Sequence, residues 1–283
     1  TYKDNKAAVA FSHIFLAASV VIVFLPLLSS LMATYYSWRL AFLVMSVYGA
    51  VIAVLCFFFL RETHEPQSHI GLNLSNIFTY YKTIISHRLF LGYVLCSIFM
   101  IAGESAFNTA SSFLLIKTFD LTKNQFGLFI TCLALGHLVG TLLCGRLVKR
   151  YDLVSMMGTG VTILALSTVF MTIGVNLGYA SVSMIMLPMV IFYVGTGFVM
   201  TITAVGAVIP FPQMVGISSA ASLLLNFSFS AFSSAVMSHL STKTAGPVSI
   251  LIATCGVAAF FAWFFLIVPN KDIKVMEAKL ALS

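Results

Sequence analysis

Apolar runs of about 20 residues or more, long enough to cross a bilayer as helices, fill this chain and are broken by short polar connections. The runs cover 7–33, 38–60, 89–116, 125–148, 153–175, 180–208, 215–240 and 246–268. They do not alternate with period two, so they read as helices and not as barrel strands. The longest polar connection is 61–88. Within it Leu74, Ile77, Phe78, Tyr81, Ile84 and Ile85 recur at helical spacing, which predicts an amphipathic helix lying at the membrane interface. Pro269 opens a polar tail. The fold class expected is all-α, a polytopic membrane protein.

Composition agrees. Of 283 residues 60% are apolar and 8% charged, and mean hydropathy is +1.05. No soluble domain of this size hides so much apolar surface. The net charge of +7 does not indicate nucleic acid, because the basic residues are spread over short connections. Their distribution sets an orientation. One side of an eight-span arrangement, with both termini, carries Lys3, Lys6, Arg61, Lys82, Arg88, Arg146, Lys149, Arg150, Lys271, Lys274 and Lys279. The other carries Arg39, Lys117, Lys123 and Lys243. Eleven against four places both termini in the cytoplasm. Cys56, Cys96, Cys132, Cys144 and Cys255 form no CxxC pair and read as small buried hydrophobes. The chain opens on TYKDNK, without Met or a signal peptide, and is expected to be part of something longer.

Of the chain's eight acids, Glu104 alone falls at membrane depth, near the middle of 89–116. A carboxylate there faces a polar interior and normally has a function. Ser97, Glu104, Asn108, Ser111 and Ser112 share its helical face. A second polar stripe, Ser219, Ser222, Asn226, Ser230 and Ser233, runs along 215–240. Each stripe either lines a cavity or clamps helices together by hydrogen bonds, and spacing admits both. As cavity lining they nominate Glu104, Asn108, Ser111, Ser222, Asn226 and Ser230 as a substrate or proton site. Gly136 and Gly140 form a G-x-x-x-G pair that allows close helix packing, with His137 between them. His13 ranks below both Glu104 and His137. Pro188 and the glycines at 195 and 197 predict a loosened or kinked span. Arg146, Lys149 and Arg150, with Asp152 close by, read as plain positive-inside anchoring. There is no P-loop, metal-ligand spacing or nucleophile–base pairing, so no enzyme is indicated and no cofactor expected.

Ordered motifs then suggest a family. P-L-L-S-S at 26–30, W-R-x-x-F at 38–42 and L-R-E-T at 60–63 resemble the fifth and sixth helices of the major facilitator superfamily, in its drug:proton antiporter branch. Ser29 and Ser30 stand where that branch usually has a glycine pair. G-R-L-V-K-R-Y-D at 145–152 resembles the second copy of the family's basic loop, which implies a cytoplasmic charge latch between helices from Arg146, Lys149, Arg150 and Asp152 as the alternative to plain anchoring. G-T-G at 195–197, P-F-P at 210–212 and G-x-S-S-A at 216–220 resemble the tenth and eleventh helices of Bcr/CflA-type multidrug exporters.

The resemblance implies helices five to twelve of a twelve-helix fold. Residues 1–60 would end the N-terminal half, 61–88 would be the cytoplasmic central loop, 89–268 the C-terminal six-helix half and 269–283 a cytoplasmic tail. It implies a bacterial inner-membrane exporter of small, largely apolar drugs, driven by protons through alternating access, whose partners are lipid, substrate, protons and the missing N-terminal helices of the same protein. Pro26, Trp38, Arg39, Gly136, Gly140, Arg146, Arg150, Gly195 and Gly197 become structural or gating positions. The Gly136–Gly140 helix would face the helix holding Pro26. The alternatives are a carrier for one metabolite, such as a sugar, nucleoside or siderophore, and a non-transporting remnant.

Overall fold

The computed structural model describes residues 28–29, 31–32, 34–59, 74–148, 150–240 and 244–269. The predicted span 7–33, with His13 and Pro26, lies almost wholly outside them, as do Lys149 and all but the first residue of the tail. The described residues form helices and no strand. They are α1 (Trp38–Phe59), α2 (Leu74–Ile85), α3 (Arg88–Ser112), α4 (Lys123–Leu147), α5 (Leu153–Asn176), α6 (Val182–Gly206), α7 (Val215–His239) and α8 (Ala245–Ala262). Two helices widen at their ends. α3 runs into a π turn, Phe113–Thr118, and α8 into another, Trp263–Ile267. Seven helices, all but α2, are long and apolar enough to span a membrane.

Local chemistry sets the helix ends. Thr122 and Gln125 form a reciprocal capping box at the start of α4. The Gln125 amide nitrogen donates to Thr122 Oγ1 at 3.3 Å, and the Thr122 amide donates to Gln125 Oε1 at 2.9 Å. Asp152 caps α5, its carboxylate accepting from the Ser155 amide at 3.0 Å and from Ser155 Oγ at 2.8 Å. Ser181 caps α6 by accepting from the Met184 amide at 3.2 Å. α5 ends in a Schellman turn. Gly178 sits at φ 92° while the Tyr179 and Gly178 amides donate to the carbonyls of Gly174 and Val175.

The chain divides into two compact units. The first takes in 1–77 and 122–131. Its helix α1 has a mean hydropathy of 2.5 and no buried residue, as a lipid-facing helix allows. At its start the Trp38 ring lies edge-on to Phe42, with the Arg39 guanidinium 5.2 Å from the Trp38 centroid. Thr34 Oγ1 donates to Asn124 Oδ1 at 3.0 Å.

The second unit, 78–121 with 132–283, is a helical bundle. α3 packs on α6, α7 and α8, and α5 packs on α6 and α8. The amphipathic segment does more than lie at an interface. Its Ile84 is fully buried with Phe90, Val94, Ile98, Ala207 and Phe211, so the end of α2 is docked on the bundle while Phe78 stays exposed. Cysteine burial divides. Cys96 and Cys144 are buried and Cys255 is half-buried, but Cys56 and Cys132 are exposed, contrary to their reading as core residues. A thiol costs little against lipid, so its position need not face a neighbour.

Candidate functional site

The two polar stripes meet, and most of their members are used up in holding α3 to α7. Ser97 Oγ lies 3.0 Å from Asn226 Oδ1 and 2.9 Å from the Val94 carbonyl, both acceptors. Ser105 and Ser230 hydroxyls are 2.6 Å apart, and Ser233 Oγ donates to the Ala102 carbonyl at 2.7 Å. Ser97 of α3 meets Asn226 of α7, and Ala102 and Ser105 meet Ser233 and Ser230 further along, so α3 and α7 run in the same direction, as four alternating crossings require. Asn226 and Ser230, expected in the site, therefore belong to a clamp: an amide or hydroxyl in hydrocarbon satisfies itself on the nearest helix. Ser222 is buried on the same helix. Ser111 is buried too, and its hydroxyl donates back to the Asn108 carbonyl at 3.0 Å.

Asn226→Leu keeps the branched outline of the side chain and deletes one interhelical bond, which is worth about 0.6 kcal/mol in a membrane. Ser97 keeps its bond to Val94. Expected is a small fall in unfolding temperature in detergent, with any transport by the intact protein changed less than about twofold, since only a contact of that size is lost.

What remains of the predicted site is Glu104 with Asn108, one turn apart on α3, and the structure adds a partner that the stripes omit. Tyr193 reaches from α6, buried, and its hydroxyl lies 3.2 Å from Asn108 Oδ1. The Glu104 carboxyl group lies near the same hydroxyl. Glu104 is half-buried and Asn108 exposed. The three groups thus form a small polar cluster in the middle of otherwise apolar spans. Its arrangement suits recognition of a hydrogen-bonding ligand or a proton. One signal in the sequence pointed to Tyr193: it is the only tyrosine in α6, at mid-helix, where a buried carboxyl group on another helix needs a donor.

Behind Tyr193, α6 is fastened to α4. Thr196 Oγ1 donates to the Tyr193 carbonyl at 2.7 Å and lies 2.8 Å from His137 Nδ1. The threonine has one proton, already given, so the imidazole donates from Nδ1. His137 is thereby a structural donor. The glycines make this approach possible. A Cβ on Gly136 would stand 2.8 Å from the Val190 carbonyl oxygen, and one on Gly140 would strike the Val194 carbonyl. From the other side, a Cβ on Gly197 would come 2.5 Å from the His137 carbonyl oxygen. The G-x-x-x-G pair therefore meets α6; the helix of Pro26, which the resemblance put against it, lies outside the described residues. Gly195 points elsewhere, toward Leu164 and the Gly160 carbonyl of α5. The G-T-G run serves two tight contacts at once, and α6 continues as one helix through Pro188.

The remaining positions lie apart from this cluster. Arg146 and Arg150 are exposed, and Asp152 is committed to capping α5. Trp38 and Arg39 belong to the first unit.

Comparison with known proteins gives a consistent picture. The profile of the Major Facilitator Superfamily matches residues 1–210. The chain is 25% identical over 269 residues to the bicyclomycin resistance protein homolog of Haemophilus influenzae, across 94% of this chain and 66% of that protein. It is 24% identical over 238 residues to multidrug resistance protein D of Escherichia coli, across 84% of this chain and 59% of that one. The chain therefore spans somewhat less than two thirds of these relatives. A bacterial homologue of the iron transporter ferroportin, solved facing inward, shares the fold at TM-score 0.65 and 14% identity over 93% of this chain and 64% of its own.

Proposed function

Because the chain belongs to the Major Facilitator Superfamily, we propose that it forms part of a secondary active transporter that exports small, largely apolar compounds in exchange for protons. The carrying observation is the Glu104–Tyr193–Asn108 cluster. Among the described residues Glu104 is the one acid inside a spanning helix, and it lies near Tyr193 of α6, whose hydroxyl is hydrogen-bonded to Asn108. A carboxyl group in that place costs about 3 kcal/mol in hydrocarbon, and a fold keeps such a group when it is used. Carriers of this architecture bind near the bilayer midplane, and the middle of α3 is where Glu104 sits. Two relatives carry drug-resistance names, which favours drugs over a single metabolite.

In this reading the proton and the compound compete for the cluster, so only one is carried in each direction and the proton gradient supplies the energy. Helices of the longer protein complete the carrier. The bacterial relatives favour an inner-membrane protein, and the Lys and Arg distribution favours both ends of this chain in the cytoplasm.

The test uses the intact protein in bacteria stripped of their own exporters, with a panel including bicyclomycin and lipophilic cations. Expression is expected to lower accumulation of at least one compound, and a protonophore to restore it. Unchanged accumulation across the panel, or export indifferent to the protonophore, counts against the proposal.

A further inference from the structure

The π turn that ends α8 carries a cation beside an aromatic face. Arg88, the first residue of α3, is exposed, and its Nη2 donates to the Phe265 carbonyl at 3.0 Å. That carbonyl belongs to the set that a helix end leaves open. Close packing holds the contact in place. A Cβ on Gly92, one turn along α3, would stand 2.8 Å from Ile267 Cγ1, so the two helices meet with no room for a side chain there. The Trp263 indole donates to the Val154 carbonyl at 3.0 Å and ties the same turn to α5.

The bond to Phe265 engages one nitrogen of the guanidinium. The rest of its N–H fork has no hydrogen bond or ion pair among the described residues. No carboxylate on either helix competes for it. α8 and its π turn contain no Asp or Glu, and Glu104, the acid of α3, lies about four turns away. Beside this open charge Phe265 stacks on Phe261, with centroids 6.0 Å apart and planes 16° from parallel, and Phe264 meets Phe265 edge-on at 5.3 Å. All three rings are about half exposed. They make an apolar strip that leads from the charge one turn back along α8, into the bilayer.

We infer that this end of the α3–α8 seam is a binding site for an anionic phospholipid, whose phosphate takes the free edge of Arg88 and whose acyl chain lies along Phe265 and Phe261. The two parts of the site call for both parts of that molecule. The guanidinium fork matches two phosphate oxygens at once, and a basic residue between spanning helices is an arrangement that holds lipid headgroups. A soluble anion leaves the rings unused. A zwitterionic lipid brings its own cation and leaves the arginine charge less well compensated. The site goes beyond the export reading and needs nothing from it.

Native mass spectrometry of the intact protein with added lipids tests this. Phosphatidylglycerol is expected to bind at least about tenfold more tightly than phosphatidylcholine of the same chains, the effect of one well-placed charged contact. Arg88→Gln is expected to abolish that preference. Glutamine can still donate to the Phe265 carbonyl, so the substitution removes the charge and keeps the cap. Arg88→Lys should restore part of the preference, and Arg146→Gln, at an exposed cation on α4, should leave it intact. Phe261→Ala combined with Phe265→Ala should weaken binding of both lipids. Equal binding of the two lipids by the unmodified protein overturns the site, as does a preference unchanged in Arg88→Gln or lost equally in Arg146→Gln. Binding indifferent to loss of both rings overturns it too. Soluble glycerol phosphate that displaces phosphatidylglycerol at equal concentration shows a free-phosphate site instead, and overturns the lipid. Should Arg88→Gln not fold, a photoreactive phosphatidylglycerol decides on the unmodified protein: label must fall in the first turn of α3 and in 261–268, and label confined elsewhere overturns the inference. None of these measurements involves transport, so failure of the lipid site and failure of the export proposal are separate results.

Discussion

Glu104→Gln in the intact protein is expected to lower proton-driven export at least about tenfold, the effect of losing 1.4 kcal/mol or more from a coupled step, and to abolish its dependence on external pH. The substitution is chosen because it changes little else. Glutamine has the shape of protonated glutamate, so the packing of α3 on α6 and the hydrogen bond between Tyr193 and Asn108 survive. What it removes is the ability to carry a negative charge. Stability should be unchanged or higher, since the ionised form alone bears the cost of charge in a spanning helix. Stability and function therefore move in opposite directions, which separates this result from simple misfolding. Glu104→Asp is the complementary change. It keeps the titrating group but withdraws it by one methylene from Tyr193, so it is expected to retain pH dependence while export weakens. The measurement is uptake into inverted vesicles across a range of imposed pH gradients, with unfolding temperature alongside. Export by Glu104→Gln at the unmodified rate and pH profile refutes a coupling role for this residue.

How much of this was legible beforehand depends on which force sets each feature. The helices were, because a bilayer dictates length and apolarity: 38–60 became Trp38–Phe59 and 215–240 became Val215–His239. Which face of each helix meets which neighbour was not. In water a buried face declares itself by apolarity, but helices such as α6 and α8 are apolar all round, and lipid gives no hydrophobic force to tell inside from outside. Ser97 and Glu104 accordingly looked equivalent on one stripe, although one is closed into the clamp with Asn226 and the other meets Tyr193. For the same reason Gly136 and Gly140 announced close packing without naming α6 as the partner. The π turns at Phe113–Thr118 and Trp263–Ile267 left no mark that periodicity could register.

Gly140→Ala is expected to destabilise the protein by about 3 kcal/mol or more, at or beyond the upper end of what overpacking usually costs. The reason is the kind of atom in the way. The added methyl group would strike the Val194 carbonyl, which is backbone of an unbroken helix and cannot rotate aside as a side chain can. Relief requires α4 and α6 to separate. Separation in turn pulls His137 Nδ1 from Thr196, now 2.8 Å away, and exposes the approach at Gly197. Because Thr196 also anchors to the Tyr193 carbonyl, the disturbance reaches the turn of α6 that presents the phenol to Glu104. The loss should thus appear both as a large fall in unfolding temperature and as a weakened carboxyl–phenol contact. Gly145→Ala on the same helix supplies the control. No atom lies within 4 Å of its added Cβ, and replacing glycine by alanine inside a helix stabilises it by roughly 0.5–1 kcal/mol. Opposite signs from the same chemical change, five residues apart, are what a specific α4–α6 contact demands; equal effects at the two positions would mean that Gly140 is not packed against α6 as described.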